Sequence, residues 1–244
     1  MGGLSVLVEI RKALPSADLF FVADRARAPY GTRSLAEVEA ISIDIAARLI
    51  DRGADCLVVA CNTASAAALE TLRRHFPDVP IVGMEPAVKP AVLASRSGKV
   101  AVVATAVTFQ GRLFESVVSR FATEIEVMTA ASPEWVELVE SGVVNGETVR
   151  STITEVLDPM IEQGADVVVL ACTHFSFLAP VISSEYEVNV IDPAPAVAAQ
   201  TGRVAPDTTG SGRLTLATTG DPAAFADLAS ALASIDAPVI SFDR

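Results

Sequence analysis

Positive charge is scarce in this chain. Its 244 residues hold 18 Lys and Arg against 30 Asp and Glu, a net charge of −12. That balance excludes a general attraction for nucleic acid or an anionic membrane surface, since both are gripped through basic patches. An anionic ligand would have to be held by local donors. Lysine occurs three times, at Lys12, Lys89 and Lys99, and none lies in a motif that links a cofactor as a Schiff base. Cysteine occurs three times and histidine twice, at His75 and His174, with no C-x-x-C pair. So small and odd a set excludes a disulfide framework and offers no ligand spacing for structural zinc. Neither G-x-G-x-x-G nor G-x-x-x-x-G-K-[ST] is present, so no phosphate-cradling loop is signalled. No apolar run approaches the ~20 residues that span a bilayer, and no basic leader precedes an apolar signal core. The expectation is a cytoplasmic protein without metal, nucleotide or other cofactor, its chemistry done by side chains.

What is present is repetition. Gly53-Ala54-Asp55-Cys56-Leu57-Val58-Val59-Ala60-Cys61-Asn62-Thr63-Ala64-Ser65 recurs 111 positions later as Gly164-Ala165-Asp166-Val167-Val168-Val169-Leu170-Ala171-Cys172-Thr173-His174-Phe175-Ser176. Both copies open on Gly-Ala-Asp, pass through an apolar run and reach Ala-Cys followed by polar residues. An internal repeat states how a fold is built. Here it implies two similar halves, each presenting one thiol from an equivalent place. Two like acid/base groups can address opposite faces of one small molecule.

Apolar, β-branched runs alternate with segments of helical period. Asp18–Ala23, Cys56–Ala60, Ile81–Met84, Val100–Ala104, Ile125–Met128, Val167–Ala171, Val188–Ile191 and Leu214–Ala217 suit parallel strands buried on both faces. Helices are predicted over Ser34–Arg52, Ala64–His75, Val107–Ala122, Gly146–Gln163 and Pro222–Ser234. Ser34 with Glu37 three residues on is a capping box. Gly53 and Gly164 stand where glycine C-caps belong. The pattern reads as α/β: two pseudo-symmetric, doubly wound domains with mainly parallel sheets and the active site in the cleft between them. The segments Pro86–Pro90 and Asp192–Pro206 read as crossings. They divide the chain into a discontinuous domain of residues 1–88 plus 205–244 and a second domain of residues 89–204.

Cys61 and Cys172 fall at strand ends, each with a helix expected to begin just after. A helix N-terminus lowers a thiol pKa, so the expectation is two thiols poised to act as bases. Free cysteine is often only a core residue, but two at matching strand ends, each followed by polar residues, read as a functional pair. Cys56, inside the apolar run opposite Val167, reads as core. His174, two residues after Cys172, reads as a catalytic auxiliary. His75 ends a helix, where a cation suits the dipole. Asn62, Thr63 and Thr173 could donate hydrogen bonds to a carboxylate. Pro133–Glu140, with Trp135 and Glu140, reads as an amphipathic helix.

Together these residues resemble the aspartate/glutamate racemase family, and within it the glutamate racemases that supply D-glutamate for peptidoglycan. The likeness covers nearly the whole chain. It includes the glycine stretch Gly2-Gly3-Leu4-Ser5-Val6-Leu7, Asp24 through Tyr30-Gly31-Thr32, both cysteine signatures, Thr105 with Thr108, and Thr218-Thr219-Gly220-Asp221-Pro222 through Phe225. The resemblance implies cofactor-independent racemisation of L-glutamate to D-glutamate, with Cys61 and Cys172 as the acid/base pair and His174 assisting Cys172. It implies Tyr30, Gly31, Asn62, Thr63, Thr173 and His174 as substrate-binding residues, and Glu140, Thr105 and Thr108 as auxiliaries. The substrate is a small molecule, with neither nucleic acid nor membrane as partner. A homodimer is an open assembly.

Two features depart from the family pattern. An Asp-Ser-Gly strand normally precedes the glycine stretch, its aspartate supporting the first cysteine. Here the sequence opens at Met1-Gly2-Gly3, and the expectation is a start codon assigned too late, with activity impaired in the form given. Ser132-Pro133 stands for a common Cys-Pro. Three other readings compete with the racemase. An aspartate-racemase-like enzyme would tend to carry Glu where His174 stands. A catalytically dead binding protein would account for the absent aspartate. A cysteine hydrolase using Cys172 and His174 would leave Cys61 without a task.

Overall fold

The computed structural model describes residues 1–110, 112–122, 125–206 and 208–242. Position 111, within the expected Val107–Ala122 helix, and positions 207, 243 and 244, within the expected 205–244 segment, lie outside the described residues. The chain begins with α1 (Gly3–Ala13), β1 (Leu19–Ala23), a 3₁₀ turn (Tyr30–Thr32), α2 (Leu35–Asp51), β2 (Leu57–Val59), α3 (Asn62–His75) and β3 (Ile81–Gly83). It continues through α4 (Val88–Ala94), β4 (Lys99–Ala104), α5 (Ala106–Gln110), α6 (Arg112–Phe121), β5 (Glu126–Ala131), α7 (Pro133–Glu140) and α8 (Glu147–Glu162). The rest is β6 (Val167–Leu170), a second 3₁₀ turn (Phe175–Leu178), α9 (Ala179–Glu185), β7 (Asn189–Ile191), α10 (Ala194–Val204), β8 (Leu214–Thr218), α11 (Pro222–Ala233) and β9 (Val239–Ser241). The architecture is α/β with parallel pairing throughout the described sheets, in the orders β1-β8-β9, β2-β3 and β5-β4-β6-β7.

The four-stranded sheet shows why uninterrupted apolar runs mark central parallel strands. Val100, Val102, Val167 and Val169 pack with Ala104 and Ala171 on one face. Ala101, Val103, Val168 and Leu170 pack with Trp135, Ile153, Leu157 and Phe175 on the other. Both faces are covered, so neither can alternate with polar residues. Cys172, two residues beyond Leu170, joins the second face.

The strands of the first half form two separate sheets, because β1 and β2 do not pair. Helix α1 lies across both. Leu4 and Leu7 pack with Ala23 and Leu216, while Val6 and Ile10 pack with Val82, Met84 and α10. Gly3 stands between them: a Cβ there would meet the Phe21 ring at 3.2 Å and the Ala60 Cβ at 3.4 Å. Glycine lets the helix approach this closely.

The repeat is also a structural repeat. At the end of α2, Gly53 N–H bonds the Ile50 carbonyl at 2.8 Å and Ala54 N–H bonds Leu49 at 3.1 Å. At the end of α8, Gly164 bonds Ile161 at 2.8 Å and Ala165 bonds Met160 at 3.0 Å. Both glycines have positive φ, 90° and 99°. These are two copies of one glycine-terminated cap, each turning a helix into a strand that leads to a cysteine. The Ser34–Glu37 capping box also forms.

Several elements differ from the sequence expectations. The glycine stretch at the start is the first turn of α1. The crossing segments are helical, as α4 and α10 show, and α10 packs against α1 and β3. Strand β9 was not foreseen. Among the described residues, no helix is long and apolar enough to cross a membrane.

Candidate active site

The two cysteines leave equivalent strands but enter different local structures. Cys61 is extended and caps α3: its sulfur accepts from Ala64 N–H at 3.4 Å. No α-helix starts directly after Cys172. Phe175 N–H bonds the Cys172 carbonyl at 3.0 Å, a 3₁₀ turn follows, and α9 opens only at Ala179. Pro180 lacks an N–H, so an α-helix is accommodated only if it begins next to it. The expectation of a helix start after each cysteine therefore holds for Cys61 alone.

A second correction concerns charge. Both thiols were expected below the ordinary thiol range, and both lie above it. Burial pushes Cys61 up, although the Ala64 and Thr63 amides and the Thr63 hydroxyl favour its thiolate. Cys172, buried, is pushed up to about 12, by loss of water first. The proximity of Cys61 adds to it, because a thiolate at one sulfur disfavours a second. Desolvation outweighs the amides of one helix start.

The strand ends are stitched together. Thr173 donates its hydroxyl to the Ala60 carbonyl at 3.5 Å, so each signature touches the other next to its cysteine. Ser5 in α1 donates to the Thr173 carbonyl at 3.1 Å. Gly2 packs on the same turn, where a Cβ would lie 2.4 Å from Thr173 Oγ1, 2.7 Å from His174 N and 2.8 Å from His174 Nδ1.

His174 lies between a thiol and a carboxylate. Its Nε2 is 2.7 Å from Glu140 Oε1, and its Nδ1 is 3.5 Å from Cys172 Sγ. Burial opposes the Glu140 charge, but the bond from His174 outweighs it and holds the Glu140 carboxyl below the usual carboxylate range. Burial pulls His174 below its ordinary value, against the pull of Glu140. An ionised Glu140 beside a neutral imidazole fixes the tautomer: Nε2–H donates to Glu140, and Nδ1 faces Cys172 as an acceptor.

The remaining expected residues gather on the other side. Thr63 Oγ1 is 3.0 Å from Thr105 Oγ1, which is 2.9 Å from Thr108 Oγ1. Gly31 packs on Thr105, where a Cβ would meet its side chain at 3.3 Å. Tyr30 donates to Asp24. Asn62 is buried at 3 %, and neither its amide nitrogen nor its carbonyl oxygen has a hydrogen-bond partner among the described residues. A buried amide left unpaired costs ~1–3 kcal/mol, which a polar ligand would recover. Cys56 is half-buried at the foot of β2 and away from these contacts. His75 ends α3 with Nδ1 at the Thr71 carbonyl. Sequence reasoning missed the part of Gly2 and of Asp24, although both stood inside quoted motifs.

The chain matches the Asp/Glu/Hydantoin racemase family over residues 5–201. A glutamate racemase of Roseiflexus sp. (strain RS-1) is 44% identical over 237 residues, covering 93% of this chain and 87% of that protein. Glutamate racemase RacE1 of Bacillus anthracis superposes with a TM-score of 0.88 at 28% identity, covering 98% of this chain and 93% of that one. The Escherichia coli glutamate racemase, solved with L-glutamate and the activator UDP-MurNAc-ala, superposes with a TM-score of 0.86 at 29% identity and the same coverage.

The contact at Gly2 is testable. A Gly2→Ala methyl would press on the backbone nitrogen of His174, and overpacking of this kind typically costs ~1–3 kcal/mol. Urea denaturation should show that loss, and the His174 imidazole NMR signals should shift while those of His75 stay. A variant with parental stability and an unmoved His174 signal would contradict the packing described.

Proposed function

The chain belongs to the Asp/Glu/hydantoin racemase family, and we propose that it interconverts L- and D-glutamate, with Cys61 and Cys172 as opposed acid/base groups. The observation that carries this reading is the pairing itself: two thiols on equivalent strands, linked through Thr173 and Ala60, each with its own proton-handling neighbours. In one direction a thiolate removes the Cα proton, and the electron pair left on Cα delocalises onto the adjacent α-carboxylate. The other thiol then gives its proton to the opposite face. The first cysteine ends protonated and the second ionised, so the reverse reaction starts from the state the forward reaction leaves.

His174 suits Cys172. With Nδ1 free to accept, it can take the thiol proton and return it, while Glu140 stabilises the imidazolium formed in between. Among the described residues no such base is bonded to Cys61; the Ala64 and Thr63 donors around its sulfur favour its thiolate instead. Asn62, Thr63 and Thr173 supply donors for the substrate carboxylates, the buried Asn62 amide being unpaired among the described residues. Tyr30 and Gly31 close the site from the loop side, and Thr105 and Thr108 back Thr63. No step requires a cofactor. The division into residues 1–88 plus 205–244 and 89–204 belongs to this proposal, with the thiols at the seam. The D-glutamate made would enter cell-wall synthesis.

Cys61→Ser and Cys172→Ser should each abolish racemisation while the fold persists by circular dichroism. Each should retain slow Cα exchange in D₂O with one enantiomer only, and not the same one. Full activity of either variant in both directions would remove the two-base assignment. The raised thiols also set a pH dependence. The ordinary thiol value is ~8.5 and both sulfurs lie above it, so kcat/KM, which reports the free enzyme, should keep rising with pH from neutrality past that value. A plateau already reached at neutral pH would show that the thiols ionise more easily than their burial allows.

A further inference from the structure

Asp24 lies directly after β1, and its side chain is 6% exposed. It accepts from three side chains. Oδ2 takes the Tyr30 hydroxyl at 2.5 Å and Arg27 Nε at 2.8 Å. Oδ1 takes the Thr219 hydroxyl at 2.8 Å and Arg27 Nε at 3.0 Å. Thr219, just past β8, also accepts from Ala26 N–H at 3.0 Å. Arg27 reaches on to Asp44 of α2 at 3.1 Å, and its carbonyl accepts from Arg33 Nε at 2.7 Å. The segment from Ala26 to Arg33 is thus pinned along its length to one carboxylate and its partners.

That segment carries Tyr30 and Gly31. The phenol lies within electrostatic reach of the Cys61 sulfur, whose charge, after burial and Asp24, helps keep it protonated. Gly31 touches Thr105, which bonds Thr63 beside the same cysteine. The loop therefore packs beside the first cysteine signature, through Thr105 and Thr63, with Asp24 bonded at its base.

We propose that Asp24 is a positioning residue for the racemase site: it holds the Tyr30 phenol and, through it, the loop that closes over the substrate. The inference rests on the glutamate racemase reading and adds to it a residue that acts through another. A carboxylate is required because every contact on both oxygens comes from a donor. An asparagine in the same place keeps one acceptor oxygen: its NH₂ would face Tyr30 or Thr219, whose hydroxyl would have to turn and accept instead of donating, and would set donor against donor at Arg27 Nε.

The chain has two tyrosines, Tyr30 and Tyr186, which makes the contact readable. In a Tyr186→Phe background Tyr30 is the sole phenol, and its ionisation is followed by ultraviolet absorbance against pH, with circular dichroism reporting the fold. Asp24→Asn should lower the Tyr30 midpoint, which a merely structural role would leave in place. It should raise KM for both enantiomers about tenfold, the order of one lost charge-assisted bond, with a smaller change in kcat. Tyr30→Phe should give the same KM, and the double variant no more than either single one. An unchanged midpoint or KM in Asp24→Asn, or effects that multiply in the double variant, would overturn the proposal. Should Asp24→Asn fail to fold, Thr219→Val removes one donor from the same carboxylate and should move both readouts the same way, with Thr219→Ser restoring them; no movement overturns it equally. A parent protein that does not racemise glutamate sinks the functional reading alone, and the Tyr30 midpoint then decides whether Asp24 holds the phenol.

Discussion

Two sulfurs share one water-poor seam, and that desolvation governs the rest of the site. On the proposed reading, close placement lets the two thiols reach opposite faces of one carbon. Burial strips water from both, and charge on Cys61 further disfavours a Cys172 thiolate, so both thiols lie above their ordinary range. The surroundings answer in two ways. Around Cys61 the helix start and Thr63 supply donors that favour a thiolate. Beside Cys172 a neutral imidazole, held in one tautomer by an ionised Glu140, offers a place for the proton. One fold repeat thus yields two chemically distinct thiols, which fits a reaction whose two directions begin with different bases.

The fold serves this by duplication. Two glycine-terminated helices feed two parallel strands through the same pair of backbone hydrogen bonds, so the cysteines arrive at equivalent strand ends. Divergence begins one residue later. The second copy meets Pro180 and runs through a 3₁₀ turn, and that turn places His174 against Cys172. The close packing of α1 on both halves, at Gly2 and Gly3, locks the second turn against the first half.

Much of this was legible in the sequence because it rests on local rules. The capping box at Ser34, the glycine C-caps at Gly53 and Gly164, and the apolar runs of β4 and β6 depend on neighbours in the chain. That Cys61 and Cys172 follow equivalent strands, with His174 beside the second, followed from the repeat. What failed depended on distance in space. The sign of the thiol shifts was misjudged because a helix N-terminus is visible in a sequence and burial is not. Helices α4 and α10 were masked by Pro90, Pro193 and Pro195, whose segments read as crossings although proline is tolerated in a helix's first turn. Strand β9, three residues long, exists through pairing with β8. Asp24 was visible as a motif letter, but its partner Thr219 is 195 positions away.

The central claim, that one thiol takes a proton from Cα while the other gives one back, is tested most directly by racemisation in D₂O. L-Glutamate converted during the first small fraction of reaction should yield D-glutamate that carries deuterium at Cα, because the donating thiol is exchanged with solvent. The unreacted L-glutamate should remain protonated. Early D-glutamate that kept the original proton would show a single group acting on both faces, and would contradict the account.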